Sequence, residues 1–157
     1  MKINCVASFN EARGDGGWGY VIRDADGDVV SAGRGRLNHV LDSFQAEVIA
    51  CLQGIQGAAE LGAGCAIVET DALQVVQAFS STDYDLTTAG SLISEMRFAA
   101  RVNFRSVNFA FVPRSCNKVA DAQADLGSMC GTGTETVVSD LPNCIKNLVA
   151  NDLAPVE

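Results

Sequence analysis

At Asp42 the apolar residues change their spacing from the two of a strand to the roughly 3.6 of a helix. Before that point the chain alternates. In Lys2–Asn10, Ile3, Cys5, Ala7 and Phe9 fall on one face and Lys2, Asn4, Val6 and Ser8 on the other, which predicts a strand. Residues 17–23 and 29–36 predict two more, joined by Asp24-Ala-Asp-Gly-Asp28, whose Asp26-Gly27 step suits a hairpin. Beyond Asp42, Phe44, Val48, Cys51, Leu52, Ile55, Ala58 and Ala59 keep helical spacing until Gly62 stops it. Residues 65–70 then predict a short strand running directly into a helical segment, 71–79. A helix over 87–100, a strand over 103–112 closed by Pro113, and a helix over 115–127 follow. A three-strand meander followed by strands alternating with helices points to one α/β domain. Its expected sheet is mixed and five-stranded, three antiparallel strands and then parallel ones, with helices on its faces. The domain is expected over residues 1–128. Residues 129–157 read as a C-terminal extension, loose at Gly131-Thr-Gly-Thr134 and ending in a short helix near 142–150.

Composition narrows the function. The 157 residues suit one sizeable core, and 48% apolar against 19% charged excludes a disordered chain. Eleven Lys and Arg face nineteen Asp and Glu, a formal charge of −8. That balance argues against a bulk electrostatic grip on nucleic acid or an anionic membrane, so any nucleic-acid contact must be local or helped by cations. No apolar run approaches the ~20 residues of a membrane span, and the N-terminus lacks the apolar centre of a signal peptide. Six Cys contain no CxxC pair and His39 is the one histidine, which leaves zinc without a ligand set. Reduced thiols are therefore expected, in an intracellular setting that the residues do not divide between nucleus and cytoplasm.

Several residues invite a chemical reading, and each has a plain alternative. Gly14-Asp-Gly-Gly-Trp-Gly19 satisfies a dinucleotide-binding spacing, but the strand that follows it predicts a hairpin instead. Glu47 lies within the apolar stripe of its helix, where a carboxylate needs a partner or a cation. Asp71 ends a strand and starts a helix, so it serves either as an N-cap or at a ligand site. Asp121 suits the dipole at the start of the last main helix, with Asp125 a weaker candidate on the same face. A βββαβ…α order can bring Glu47, Asp71 and Asp121 from separate elements towards the end of the central strand. Converging carboxylates repel unless a hard cation such as Mg²⁺ joins them, and two such ions serve phosphodiester cleavage.

These residues, in this order, resemble the RNase H-like domain, in the plant form found in retroelement-type reverse-transcriptase proteins. The stretches that carry the resemblance are Lys2-Ile-Asn-Cys-Val-Ala-Ser-Phe9, Gly16-Gly-Trp-Gly-Tyr-Val-Ile-Arg23 and Phe44-Gln-Ala-Glu47. Glu69-Thr-Asp-Ala72, Val112-Pro-Arg-Ser-Cys-Asn-Lys-Val-Ala-Asp121 and the tail Leu148-Val-Ala-Asn-Asp-Leu153 complete it, over nearly the whole chain. The resemblance implies four carboxylates that hold two Mg²⁺ ions (or Mn²⁺) and cleave the RNA strand of an RNA–DNA hybrid. Three carry over, to Glu47, Asp71 and Asp121, as catalytic and metal-binding residues. The first family aspartate falls on Val6, within Val6-Ala-Ser-Phe9, and the ten-residue step to Gly16 fits the family spacing. Valine there removes a shared metal ligand and one charge, so metal binding is expected to be weakened and cleavage much reduced or lost. Asp15 or Glu11, in the following loop, offers a substitute.

A histidine that many type 1 RNases H carry before the last helix is also missing. The loop reads Phe111-Val-Pro-Arg-Ser-Cys-Asn117, as the plant form does. Ser8, Arg114 and Asn117 are the expected substrate contacts, with Arg114 paired to Glu or Asp as the plainer reading. Arg13, Arg34, Arg36 and Lys118 join Arg114 as residues that either line a hybrid groove or are solvated charges. Expected partners are an RNA–DNA hybrid or structured RNA, with no membrane, bound by a monomer. Three functions compete: a hybrid nuclease, a nucleic-acid-binding pseudo-enzyme, and a retroelement-derived protein-interaction domain. Val6 separates the first from the others.

Overall fold

The alternating N-terminal residues form three antiparallel strands, β1 (Lys2–Asn10), β2 (Asp15–Arg23) and β3 (Val29–Leu37). Helix α1 (Ser43–Glu60) follows, then β4 (Cys65–Thr70), α2 (Leu73–Ser80), α3 (Gly90–Asn103) and β5 (Ser106–Phe111). A single 3-10 turn, Arg114–Cys116, leads into α4 (Lys118–Ser128), β6 (Glu135–Val138) and α5 (Asn143–Asp152). This computed structural model describes residues 1–131, 133, 135–138 and 141–152. Thr132 and Thr134 of the glycine–threonine stretch, and Leu153 of the tail motif, lie outside the described residues.

The sheet runs β5-β4-β1-β2-β3-β6. Its first five strands are the expected mixed sheet, with β4 parallel to β1 and β5 parallel to β4. The sixth is an addition. Glu135–Val138 pairs antiparallel with the outer edge of β3, from Gly35↔Glu135 to Ala32↔Val138. Four residues are too few for a period to show, which is why the sequence reads there only as loop.

Local chemistry sets the helix boundaries. Asp42 caps α1 by accepting from the Gln45 N–H at 2.7 Å, while the Gln45 side chain accepts from the Leu41 N–H at 2.9 Å. A cap of this kind contributes about 1 kcal/mol. Gly62, at φ 72°, ends the helix where the sequence predicts. Helix α3 starts three residues later than expected, because the Thr87 hydroxyl donates to the Tyr84 carbonyl in a preceding turn. The helix expected over 115–127 is interrupted at Asn117, whose side-chain amide turns inward and donates to the Cys5 carbonyl at 3.1 Å.

Each face of the sheet has its own core. Ile3, Cys5 and Ala7 of β1 pack with Val48, Cys51 and Ile55 of α1 and with Ile93 and Met96 of α3. On the opposite face α4 lies across β2, and a second core joins Val21, Ala32, Val119 and Ile145. Its close approach depends on missing side chains: a Cβ on Gly19 would stand 2.4 Å from the Ala124 backbone nitrogen. Gly17 and Gly19 thus seat α4 against β2, while Gly16, also in β2, lets the strand approach Ser8 of β1. No helix among the described residues is long and apolar enough to cross a membrane.

Candidate active site

Parallel pairing of β1 and β4 ends at Cys5↔Thr70, so Asp71 leaves β4 beside Val6 at the carboxyl edge of that pairing, while Val6 stays in β1 opposite Gly19 of β2. Asp71 is not a helix cap. The N-cap of α2 is Ala72, whose N–H is taken by the Thr70 hydroxyl at 3.1 Å, so the Asp71 carboxylate is left for other partners. Glu47 reaches the same edge from α1 and accepts from the Ala7 N–H at 3.1 Å. Asp121, in the first turn of α4, comes from the opposite face of the sheet. The structure therefore brings the three sequence-expected carboxylates to the stretch of β1 around Val6 and Ala7.

Arg114 ties them together. Its Nε and Nη2 donate to the same Asp121 oxygen, at 3.0 and 2.5 Å, and its Nη1 stands 3.9 Å from Asp71 Oδ2. The plainer of the two readings of Arg114, an arginine bound to acids, is the one observed. The surrounding acids act on its protonation: although desolvation pulls its pKa down, the bond to Asp121 and the charges of Asp121, Asp71 and Glu47 raise it. Glu47 is pushed up to about 8, by burial first and then by the Asp71 charge, against the Ala7 N–H and Arg114. Asp71 Oδ1 is buried without a hydrogen-bond partner. A cleft of about 270 Å³ beside Glu47 and Asp71 is walled by Ser43, Phe44, Leu73 and Gln74.

Val6 occupies the centre. It is fully buried and packs against Ala120 and Ala124 of α4 in a small apolar cluster of its own. Ser8, two residues on, shares that face and is half-buried. Asn117 is 2% exposed, and its amide holds the start of α4 to β1. Asp125 points outward. Asp15, one of the two expected substitutes for a carboxylate at Val6, pairs instead with Arg13 at 3.2 Å and Arg36 at 3.5 Å. Arg34 donates to Gln123 at 3.1 Å, and Lys118 is exposed at the start of α4. Glu11 is exposed in the turn after β1.

A polar hollow that no motif in the sequence marks lies next to this site. About 460 Å³ in volume, it is lined by Lys2, Asn4, Arg23, Glu69, Asn117 and Asp152 among others. Glu69 there receives Asn4 Nδ2 at 2.8 Å and Lys2 Nζ at 3.1 Å. The polar face of β1, Lys2 and Asn4, was its signal.

Among known families, the model for reverse transcriptase-like proteins matches residues 4–127. The chain belongs to the reverse transcriptase-like family. Solved structures agree on the fold of this family member. The N-terminal RNase H domain of a Mycobacterium tuberculosis protein is 25% identical, with TM-score 0.73 over 82% of this chain and 92% of that one. RNase H1 from the archaeon Halobacterium salinarum is 22% identical, with TM-score 0.68 over 80% and 95% of the two chains. LC11-RNase H1, solved in complex with an RNA/DNA hybrid, is 18% identical, with TM-score 0.69 over 82% and 99%. No curated protein matches the chain.

This reverse transcriptase-like domain does not present a donor set that fits a two-ion centre. Val6 is apolar and sealed by Ala120 and Ala124. One Asp121 oxygen is already bonded twice to Arg114. Among the described residues, no group of three or more His, Cys, Asp or Glu is placed to hold a metal ion.

Proposed function

We propose that this chain is an RNase H-type domain that binds nucleic acid, an RNA–DNA hybrid in the first place, as a monomer. In this reading the family's Mg²⁺-dependent cleavage of the RNA strand is much reduced or lost. The observation that carries the reading is Val6, an apolar and fully buried residue in the middle of β1, between Glu47 on one side and Asp121 on the other. The hybrid complex of LC11-RNase H1 and the double-stranded DNA complex of a foamy viral protease-reverse transcriptase support a nucleic-acid partner for this fold. Ser8 and Arg114 are the proposed backbone contacts at the rim, and Asn117 serves by fixing the start of α4. Recognition of a hybrid rests on shape, phosphate and 2′-hydroxyl contacts, so few base-reading side chains are needed.

The test compares the chain with Val6→Asp on a labelled RNA–DNA hybrid, with Mg²⁺ and with Mn²⁺. The expected result is no cleavage by the chain itself and cleavage by Val6→Asp, removed again by adding Asp71→Asn. Robust cleavage by the unaltered chain, abolished by Asp71→Asn, overturns the loss of activity. Fluorescence anisotropy with the same hybrid in EDTA tests binding separately. Absence of binding there favours the remaining reading, a non-catalytic protein-interaction domain.

A further inference from the structure

We infer that the Arg114 guanidinium is the resident cation of the Glu47–Asp71–Asp121 cluster and excludes divalent ions from it. The inference deepens the reading of these three acids as the carboxylate set of the fold, and it does not depend on hybrid binding.

Arg114 is held in place from both sides. The 3-10 turn that carries it closes with the Cys116 N–H on the Pro113 carbonyl at 2.8 Å and the Asn117 N–H on the Arg114 carbonyl at 3.0 Å. Asn117 in turn bonds β1 through Cys5. The guanidinium therefore projects from a turn anchored to the central strand, and its planar fork meets Asp121 through two nitrogens while a third faces Asp71. The bonds are charge-assisted and share one Asp121 oxygen, on a guanidinium that stays half exposed to solvent. Glu47 is engaged by the Ala7 N–H.

A divalent ion entering here must give up hydration, which Mg²⁺ does reluctantly, and must also displace this arginine. It would gain fewer oxygens than a four-carboxylate centre offers, because Val6 contributes none and shields the region with its methyl groups. The loss of one carboxylate and the presence of one guanidinium act in the same direction. With one negative charge fewer, a single positive charge bridging two acids is the better match, and it requires no dehydration of a small ion. Arg114 is on this account a positioning residue, which keeps Asp71 and Asp121 near one another without metal.

The experiment measures metal uptake in the absence of nucleic acid. Mn²⁺ binding is followed by water-proton relaxation, and thermal melting is recorded with and without millimolar Mg²⁺. The chain itself is expected to show neither Mn²⁺ uptake nor a Mg²⁺-dependent shift in melting. Arg114→Gln is expected to melt lower without metal, to bind Mn²⁺, and to recover a few degrees with Mg²⁺. Arg114→Lys keeps the charge and is expected to stay metal-free. Mn²⁺ binding by the unaltered chain as tight as by Arg114→Gln overturns the inference, and so does a folded Arg114→Gln that takes up no metal. Should Arg114→Gln not fold, the Arg114 Nε–H resonance of the unaltered chain decides. Its position is expected to be unchanged by Mg²⁺, and a shift or loss of the signal overturns the inference. Hybrid anisotropy in EDTA on the unaltered chain reports on the proposed function alone.

Discussion

Glu47 binds a proton more tightly in the folded chain than in the unfolded one, with a pKa moved from 4.5 to about 8. A raised carboxyl pKa gives stability that is complete below the unfolded value and is lost as pH rises through the folded one. Urea unfolding is therefore expected to show stability falling between about pH 5 and about pH 8, by on the order of a few kcal/mol. Glu47→Gln, which keeps an acceptor for the Ala7 N–H, is expected to flatten that dependence. Val6 gives a second expectation at this scale. Val6→Asp places a carboxylate against Ala120 and Ala124 and is expected to cost roughly 2–4 kcal/mol, read as a lower melting temperature. Whatever cleavage that variant gains thus comes with lost stability. Glu47 and Asp71 were legible because each broke a local pattern, a charge in an apolar stripe and an acid at a strand end. An acid partner for Arg114 was legible as its plainer reading, but which acid was not, because that is set by where the fold places Asp121 on α4.

The elements were readable where a period ran long enough to declare itself. Helix α1 kept its stripe for five turns (18 residues) and ended at its glycine, whereas four-residue β6 left no period to read. The break before α4 escaped for another reason: it depends on Asn117 reaching a carbonyl 112 residues away in sequence. Contact between α4 and β2 is also an element-scale property. Here Gly19 meets the backbone of Ala120 and Ala124, so the helix rests on the strand itself rather than on side chains. Gly19→Ala must push α4 outward, since the nearest atoms are backbone and cannot rotate away. A loss of about 1–3 kcal/mol is expected in denaturant unfolding. Asp121 rides on α4, so the same substitution is expected to weaken the Arg114–Asp121 bond, measurable as faster solvent exchange of the Arg114 Nε–H.

For the molecule as a whole, a charge of −8 opposes a polyanion at long range, and Arg13 and Arg36 are already paired with Asp15. Hybrid affinity is expected to be modest and to fall as salt rises, with a logarithmic slope of about −1 for each phosphate contact made. A titration at several salt concentrations reads that slope, and a steep one would show a basic track that the surface does not present. Charge and size were readable from composition alone; which cations are spent internally was not, because pairing across strands is set by register. The sixth strand has a consequence for how copies of this chain meet one another. An open β3 would offer a row of unused amides and carbonyls to any other extended segment in solution. By covering Ala32 to Gly35, β6 leaves at that rim only a strand of four residues, with an exposed Glu135 at its start. A border this short, with an acid at its start and an exposed Val137 further on, gives a neighbouring strand few groups to pair with.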